Sequence, residues 1–257
     1  MLHVTDARTL RRTALPAARR GILTLHIHLA QPALDVTGVR ALLVADVLQR
    51  TLESHGVQVL PALAAPDLPP DQRALLRRVL PGFGIHPPEA ATCAAADAHI
   101  GTDPPPTASP GVWIRLERVR LGAPALWATE AGTADGADPL AARLALLARS
   151  RTQPVDLSDH ALADCTRVLH RWRSRVAEWA CSPSRPAPAD VTRTAQEALA
   201  DDLSTPTLLE LLHRVEATNT LPDGAKFETF ALLDRILALE LTRDGGRVWT
   251  PKKRAAG

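Results

Sequence analysis

Apolar residues run from 22 to 29. From 37 to 55, Val39, Leu42, Leu43, Ala45, Val47, Leu48 and Leu52 then recur at mixed three- and four-residue spacing, and residues 57–63 are apolar again after Gly56. This order predicts strand, helix and strand. A right-handed crossover of that kind makes the two strands parallel. Asp46 falls among the apolar positions of the helix, where a carboxylate must be paired, and Arg40 or Arg50 is its candidate partner. Residues 67–81 predict a short helix, with Pro69 and Pro70 near its start and Pro81 ending it. Residues 87–110 are rich in Ala, Pro and Thr, with Pro104, Pro105 and Pro106 in a row, and predict a flexible segment around a short strand at 98–100. Val112, Ile114, Leu116 and Val119 then predict a strand, with residues 125–129 as its hairpin partner.

After Gly136 the pattern turns helical. Asp138 with Pro139 and Thr205 with Pro206 each read as an N-cap followed by proline at the first helical position. Leu162, Cys165, Val168, Leu169, Trp172, Val176 and Trp179 share one face of a long helix, and Asp190 is the expected cap of another reaching Leu199. A last helix over 222–241 carries a stripe of Phe227, Phe230, Leu233 or Asp234, Leu237 and Leu241. These elements predict an antiparallel helical bundle behind an α/β part.

Composition sharpens this picture in a few places. The chain has 257 residues, 46% hydrophobic and 23% charged, enough for a real core. Tyrosine is absent and Phe numbers three, so Leu, Val and Ala must build that core. All basic residues except Lys226, Lys252 and Lys253 are arginine, which with the high Ala and Pro is the imprint of a GC-rich genome. A net charge of +2 excludes a dedicated polybasic nucleic-acid binder. It leaves open a local basic face of Arg167, Arg171, Arg173 and Arg175, which is either a phosphate-tracking surface or the solvated side of a helix. No apolar stretch reaches the roughly 20 residues that a bilayer demands, so no membrane partner is expected. Arg19 and Arg20 before residues 21–30 imitate a signal peptide, but His26 and His28 interrupt the run, and a cytoplasmic protein is expected. Cys93, Cys165 and Cys181 are odd in number and fit a reducing compartment. No Ser, His and Asp arrangement reads as a nucleophilic triad.

Two constellations carry candidate chemistry. The loop after the first strand, residues 31–40, ends at a helix start, where backbone N–H groups suit a phosphate in an open α/β sheet. There Asp35 and Thr37 are candidate ligand-binding residues or simply the N-cap, Gly38 would let the backbone approach a ligand, and Arg40 would supply charge. His26 and His28 alternate to one side of a strand, a spacing that two metal ligands use, although local spacing supplies no third ligand. The Gly224 to Phe230 cluster at the start of the last helix is either a contact surface or bundle packing.

Four stretches in order resemble cysteinyl-tRNA synthetase. LHVTDART at 2–9 is similar to the family's opening L-x-L-x-D-T-x-T, and GVRALLVADVL at 38–48 to the N-A-R-T-Y-V-x-x-D-V-L helix behind its H-I-G-H-type signature. PLAARLALLA at 139–148 with QPVDLS at 153–158 resembles R-x-x-L-L-x-x-H-Y-R-x-P-L-D-x-S, and LADDLSTP at 199–206 resembles A-L-x-D-D-L-N-T-P. The resemblance implies α/β plus all-α: a truncated Rossmann-like nucleotide-binding domain over 1–135, a helical bundle like the synthetase helical domain over 136–244, and a basic tail over 245–257. It also implies a fold that activates cysteine with ATP and transfers it to tRNA.

The departures bear on that chemistry. The signature histidines fall on Asp35 and Gly38, and the zinc-ligand cysteine falls on or beside His26 or His28, with no counterpart for the remaining ligands. The K-M-S-K-S loop is absent, since no lysine precedes Lys226. The chain is also far shorter than a full synthetase. The expectation is a paralogue that keeps the scaffold, lacks full aminoacylation activity, and binds a nucleotide such as ATP, an aminoacyl-adenylate or a tRNA-like partner around Asp35, Thr37, Gly38 and Arg40. Zinc on His26 and His28 is a further candidate cofactor. The alternatives are an active ATP-dependent cysteine-activating ligase using arginine for lysine, serving a carrier protein or a small molecule, and a protein-interaction module.

Overall fold

Alternation of buried and partly exposed residues sets the first strand of the main sheet: Leu23, Leu25 and Ile27 point into the core while Ile22, Thr24 and His26 face the other side. The structure is a computed structural model and describes residues 2–15, 21–30, 34–64, 68–88, 95–102, 110–121 and 138–246. A hairpin of β1 (His3–Asp6) and β2 (Arg11–Ala14) precedes β3 (Ile22–Ile27). Helix α1 (Val36–Glu53) returns the chain to β4 (Gln58–Leu63), which lies parallel to β3 as the pattern predicted. The four-stranded parallel sheet has the order β4-β3-β5-β6, with β5 at Ala98–Gly101 and β6 at Val112–Arg115. Helix α1 packs across β3, β4 and β5 and buries fourteen of its own residues, which explains its broad apolar surface.

Between β4 and β5 run α2 (Pro70–Val79) and a 3₁₀ turn (Leu80–Phe83), so the helix predicted over 67–81 is shorter and Pro81 sits inside the turn. The expected strand at 112–119 is corrected. Its ladder with β5 is parallel and stops at Arg115, and β7 (Val119–Leu121) pairs in parallel with β8 (Val155–Leu157). The proposed hairpin partner at 125–129 lies outside the described residues, as do Cys93 and Pro104 to Pro106.

Helices α3 (Pro139–Leu147), α4 (Asp159–Trp179), α5 (Ala189–Ala200), α6 (Thr205–Ala217) and α7 (Asp223–Leu237) follow. Asp138 caps α3 by accepting the Leu140 N–H at 3.0 Å, as expected. Two other expected caps differ. Pro188 precedes α5 and Asp190 lies in its first turn, and Ser204 rather than Thr205 precedes α6. The Thr205 hydroxyl instead donates to the Leu147 carbonyl at 2.8 Å, tying α6 to the end of α3. Helix α7 stops at Leu237, short of the predicted 241. Asp234 accepts the N–H groups of Leu239 and Leu241 at 2.7 and 2.8 Å and curls the chain through a left-handed Ala238.

The Gly224 to Phe230 cluster is packing. Phe230 is fully buried edge-on to Trp172 and Trp179, Lys226 lies over the Trp179 ring at 5.3 Å, and a side chain at Gly224 would collide with the Pro183 carbonyl. The arginines of α4 all have partners. Arg167 binds Asp164, Arg171 binds Glu216, Arg175 binds Glu178, and Arg173 is buried against Asp138 and the Leu239 and Glu240 carbonyls. Among the described residues, no helix is long and apolar enough to cross a membrane.

Helix α1 is joined to the later helices by charge. Asp46 accepts Arg50 Nε at 2.9 Å and Arg143 Nη2 at 2.6 Å, and Arg143, with no exposed side-chain surface, also donates to the Phe83 and Leu237 carbonyls. Of the two expected partners, Arg50 is present and Arg40 is not; Arg143 comes from α3. Arg143→Met should lower unfolding free energy by about 3–5 kcal/mol, because one buried carboxylate and two carbonyls lose a donor. Urea denaturation checks this, and a change under about 1 kcal/mol would show the pair to be dispensable.

Candidate functional site

The strand order β4-β3-β5-β6 places a topological switch point between β3 and β5. The chain leaves β3 toward β4 on one side, and β5 and β6 then fill the other. In open α/β sheets the crevice beyond the strand ends at such a point is where ligands sit. Register puts His26 opposite His99 and His99 opposite Trp113, so three ring side chains form a row across three neighbouring strands on the same sheet face. His28 follows just past β3, held by its backbone N–H donating to the Ile100 carbonyl at 2.8 Å.

The rings pack together. His28 and His99 centroids are 5.3 Å apart, His26 and His99 5.5 Å, and His28 lies 5.0 Å from Trp113. Gly101 makes this possible, since a Cβ there would stand 3.1 Å from both His28 Cβ and Trp113 Cη2. One hydrogen bond places a proton. His99 Nε2 lies 2.8 Å from the Pro110 carbonyl, which only accepts, so His99 Nε2 carries the proton. His99 Nδ1 faces His28 Nε2 at 3.1 Å, and the two nitrogens share one hydrogen bond. His26 Nε2 and Trp113 Nε1 are buried without a hydrogen-bond partner among the described residues.

Burial, with His99 and His26 adding like charge, pushes His28 down to about 4, and burial followed by His99 lowers His26 as well. Both rings are neutral at physiological pH. Neutral His26 and His28 thus lie against His99 and Trp113 in a ring-lined group with two ring nitrogens that have no partner among the described residues. Among the described residues no three His, Cys, Asp or Glu side chains are placed to hold a metal, and the facing nitrogens of His28 and His99 are already bonded to each other.

The structure gives each residue of the helix-start group a partner within the protein. Asp35 caps α1, accepting the Gly38 N–H at 2.6 Å. The Thr37 hydroxyl accepts the Val119 N–H at 3.2 Å. The space beside Gly38 is filled by Leu29 and the Asp35 carboxylate, 3.1 and 3.2 Å from where a Cβ would be. Arg40 is 1% exposed and donates to the Glu117, Ser150 and Gln153 carbonyls at 2.7–2.8 Å, so its guanidinium clasps the loops beside α1. His26 and His28 do come together, and with them His99 and Trp113, which sequence reading missed. The available signal was a histidine flanked by apolar residues in a short strand, but its partner lies 71 residues away and only strand pairing brings the two together.

No known protein-family profile matches this chain. A segment of it is 36% identical over 90 residues to the L-cysteine:1D-myo-inositol 2-amino-2-deoxy-alpha-D-glucopyranoside ligase of Streptomyces griseus subsp. griseus, covering 35% of this chain and 21% of that enzyme. The ligase of the same name from Nakamurella multipartita is 35% identical over 106 residues, covering 41% and 24%, and that from Gordonia bronchialis is 40% identical over 76 residues, covering 30% and 17%. Part of this chain is similar to cysteine ligases. The match therefore spans roughly a fifth of the length of these curated relatives. They carry the resemblance at the level of cysteine-ligase-like enzymes rather than of the tRNA synthetase itself.

His28 gives a direct check on the site. Its folded-state value lies below the ordinary 6.5 of an unfolded chain, so the stability from its neutral ring is fully present above pH 6.5 and is lost as pH falls toward 4. Ring proton resonances followed through the acid range should show His28 titrating near 4. A midpoint at the ordinary histidine value would mean that the ring is not packed against His99 and Trp113.

Proposed function

We propose that this chain uses a cysteine-ligase-type α/β scaffold to bind a nucleotide or aminoacyl-adenylate-type ligand at the switch point, without full ligase chemistry. The observation that carries the proposal is the ring row of His26, His99 and Trp113 with His28 at the ends of β3 and β5. A planar base or an uncharged aminoacyl group stacks on the partly exposed His26 and His28 rings, which the buried His99 and Trp113 back. The way the charged groups at the start of α1 are engaged within the described residues supports the non-catalytic half of the reading. Adenylate formation needs donors aimed at the charge that develops on the transferring phosphates. Here Asp35 and Gly38 stand where the resemblance implies histidines, Arg40 is held by three carbonyls, and no lysine precedes Lys226.

The similarity to cysteine ligases favours a second reading, an active cysteine-activating ligase. ATP–pyrophosphate exchange separates the two. The expected outcome is no exchange with cysteine or other amino acids, together with calorimetric binding of a non-hydrolysable cysteinyl-adenylate analogue that His28→Ala weakens about tenfold, the loss of one good polar or stacking contact. Exchange with cysteine would establish the ligase reading instead. Failure of the analogue to bind would remove the switch point as a ligand site.

A further inference from the structure

The outer edge of the β1–β2 hairpin is a second feature of the surface. In an antiparallel pair, successive residues turn their backbone N–H and carbonyl groups alternately toward the partner strand and away from it. Register pairs Val4 with Thr13 and Asp6 with Arg11, and the Leu15 N–H donates to the Leu2 carbonyl at 3.0 Å, so residues 11, 13 and 15 turn these groups to β1. Those of Arg12 and Ala14 point the other way, and among the described residues no strand lies beside them. Strand β1 is anchored on its far side. The Ala7 N–H donates to the Trp113 carbonyl, the Thr5 N–H to the Asp202 carboxylate and the Asp202 N–H to the His3 carbonyl, each at 2.9 Å. The edge of β2 is therefore presented on a fixed base, and a partner that pairs with it has little ordering left to impose.

The turn that leads into this edge is held in an unusual shape. Leu10 has a φ of 56°, a left-handed conformation in a residue that is not glycine, and its N–H donates to the Asp6 carbonyl at 2.7 Å. Its side chain is 80% exposed, so an apolar group stands in solvent where the edge begins. Two cations follow it. Arg11 is exposed and has no ion-pair partner among the described residues. Arg12 meets Asp201 at 3.0 Å with the two side chains 59% and 66% exposed, an attraction that solvent screens heavily and that another carboxylate can replace.

We propose that β2 takes an extended acidic peptide segment of a partner protein as an additional strand, with the peptide backbone paired to Arg12 and Ala14, its carboxylates beside Arg11 and Arg12, and an apolar side chain against Leu10. The donors and acceptors along the edge alternate, and a peptide strand supplies the matching alternation while a nucleic acid does not. A second copy of this chain is a poor occupant, since pairing β2 with itself would bring the arginines of both copies together. None of the residues that would touch the peptide belongs to the ring row, so the two sites stand or fall separately.

The test is a titration of the protein with a short blocked peptide of alternating glutamate and valine, following the backbone amide resonances of the protein and the fluorescence anisotropy of the labelled peptide. Saturable shifts of the Arg12 and Ala14 amides are expected. A peptide with lysine in place of glutamate should not bind, and neither should the acidic peptide methylated at every backbone nitrogen, which keeps the charge and loses the donors. Arg11→Glu, at an exposed position, should weaken the acidic peptide about tenfold by reversing one facing charge. The proposal is overturned if the Arg12 and Ala14 amides do not shift, if the methylated peptide binds as well as the unmethylated one, or if Arg11→Glu leaves the affinity unchanged. It is equally overturned if a single-stranded oligonucleotide of equal charge binds more tightly than the peptide, which would make the edge a phosphate-binding surface.

Discussion

The Asp46 carboxylate on α1 is the point through which the sheet half and the helical half of this protein are joined. It sits in the low-dielectric interface with Arg143 and Arg50, and the same two guanidiniums reach the carbonyls of Phe83, Gly84, Arg235 and Leu237. A buried ion pair of this kind gives little net stability relative to a hydrophobic replacement, but its geometry is demanding. Each donor has one direction, so α1, the 3₁₀ turn, α3 and the end of α7 must meet in one arrangement for all of them to be satisfied.

The pattern repeats with other arginines. Arg40 clasps three carbonyls from the segments that flank β7 and β8, and Arg173 takes two carbonyls beyond α7 together with the α3 cap Asp138. A planar guanidinium with five fixed donors can satisfy several loop carbonyls at once, which the compact lysine ammonium does less well. The arginine bias of the composition thus has a structural use here, since irregular segments that pass over the core would otherwise leave carbonyls unpaired. The consequence for function is direct. Charge that the sequence offers to a ligand at the start of α1 is engaged by the protein's own backbone.

The ring row at the switch point is built differently, from aromatic rings packed on one another. Parallel strand pairing aligns His26, His99 and Trp113, a glycine lets Trp113 and His28 close over the end of β5, and the Pro110 carbonyl holds the His99 Nε2 proton. Polar atoms left without partners at His26 and Trp113 mark the same place where the topology alone would put a ligand. The similarity to cysteine ligases is consistent with a scaffold of this sort, and the local chemistry of the site is the chain's own.

By itself the sequence determined what depends on short-range periodicity and capping: the β3, α1 and β4 unit, the amphipathic α4 with Trp172 and Trp179 inward, the Asp138 cap of α3, and the need for Asp46 to have a partner. These follow from spacing along one element, where neighbours in space are neighbours in number. Tertiary structure decided that Arg143 rather than Arg40 answers Asp46, that Arg40 clasps carbonyls, that β6 and β7 pair with different strands, and that His99 and Trp113 complete the group begun by His26 and His28. In each case the partner lies tens of residues away on a different element, or on an irregular segment whose free carbonyls carry no sequence signature, so only the packed chain could choose it.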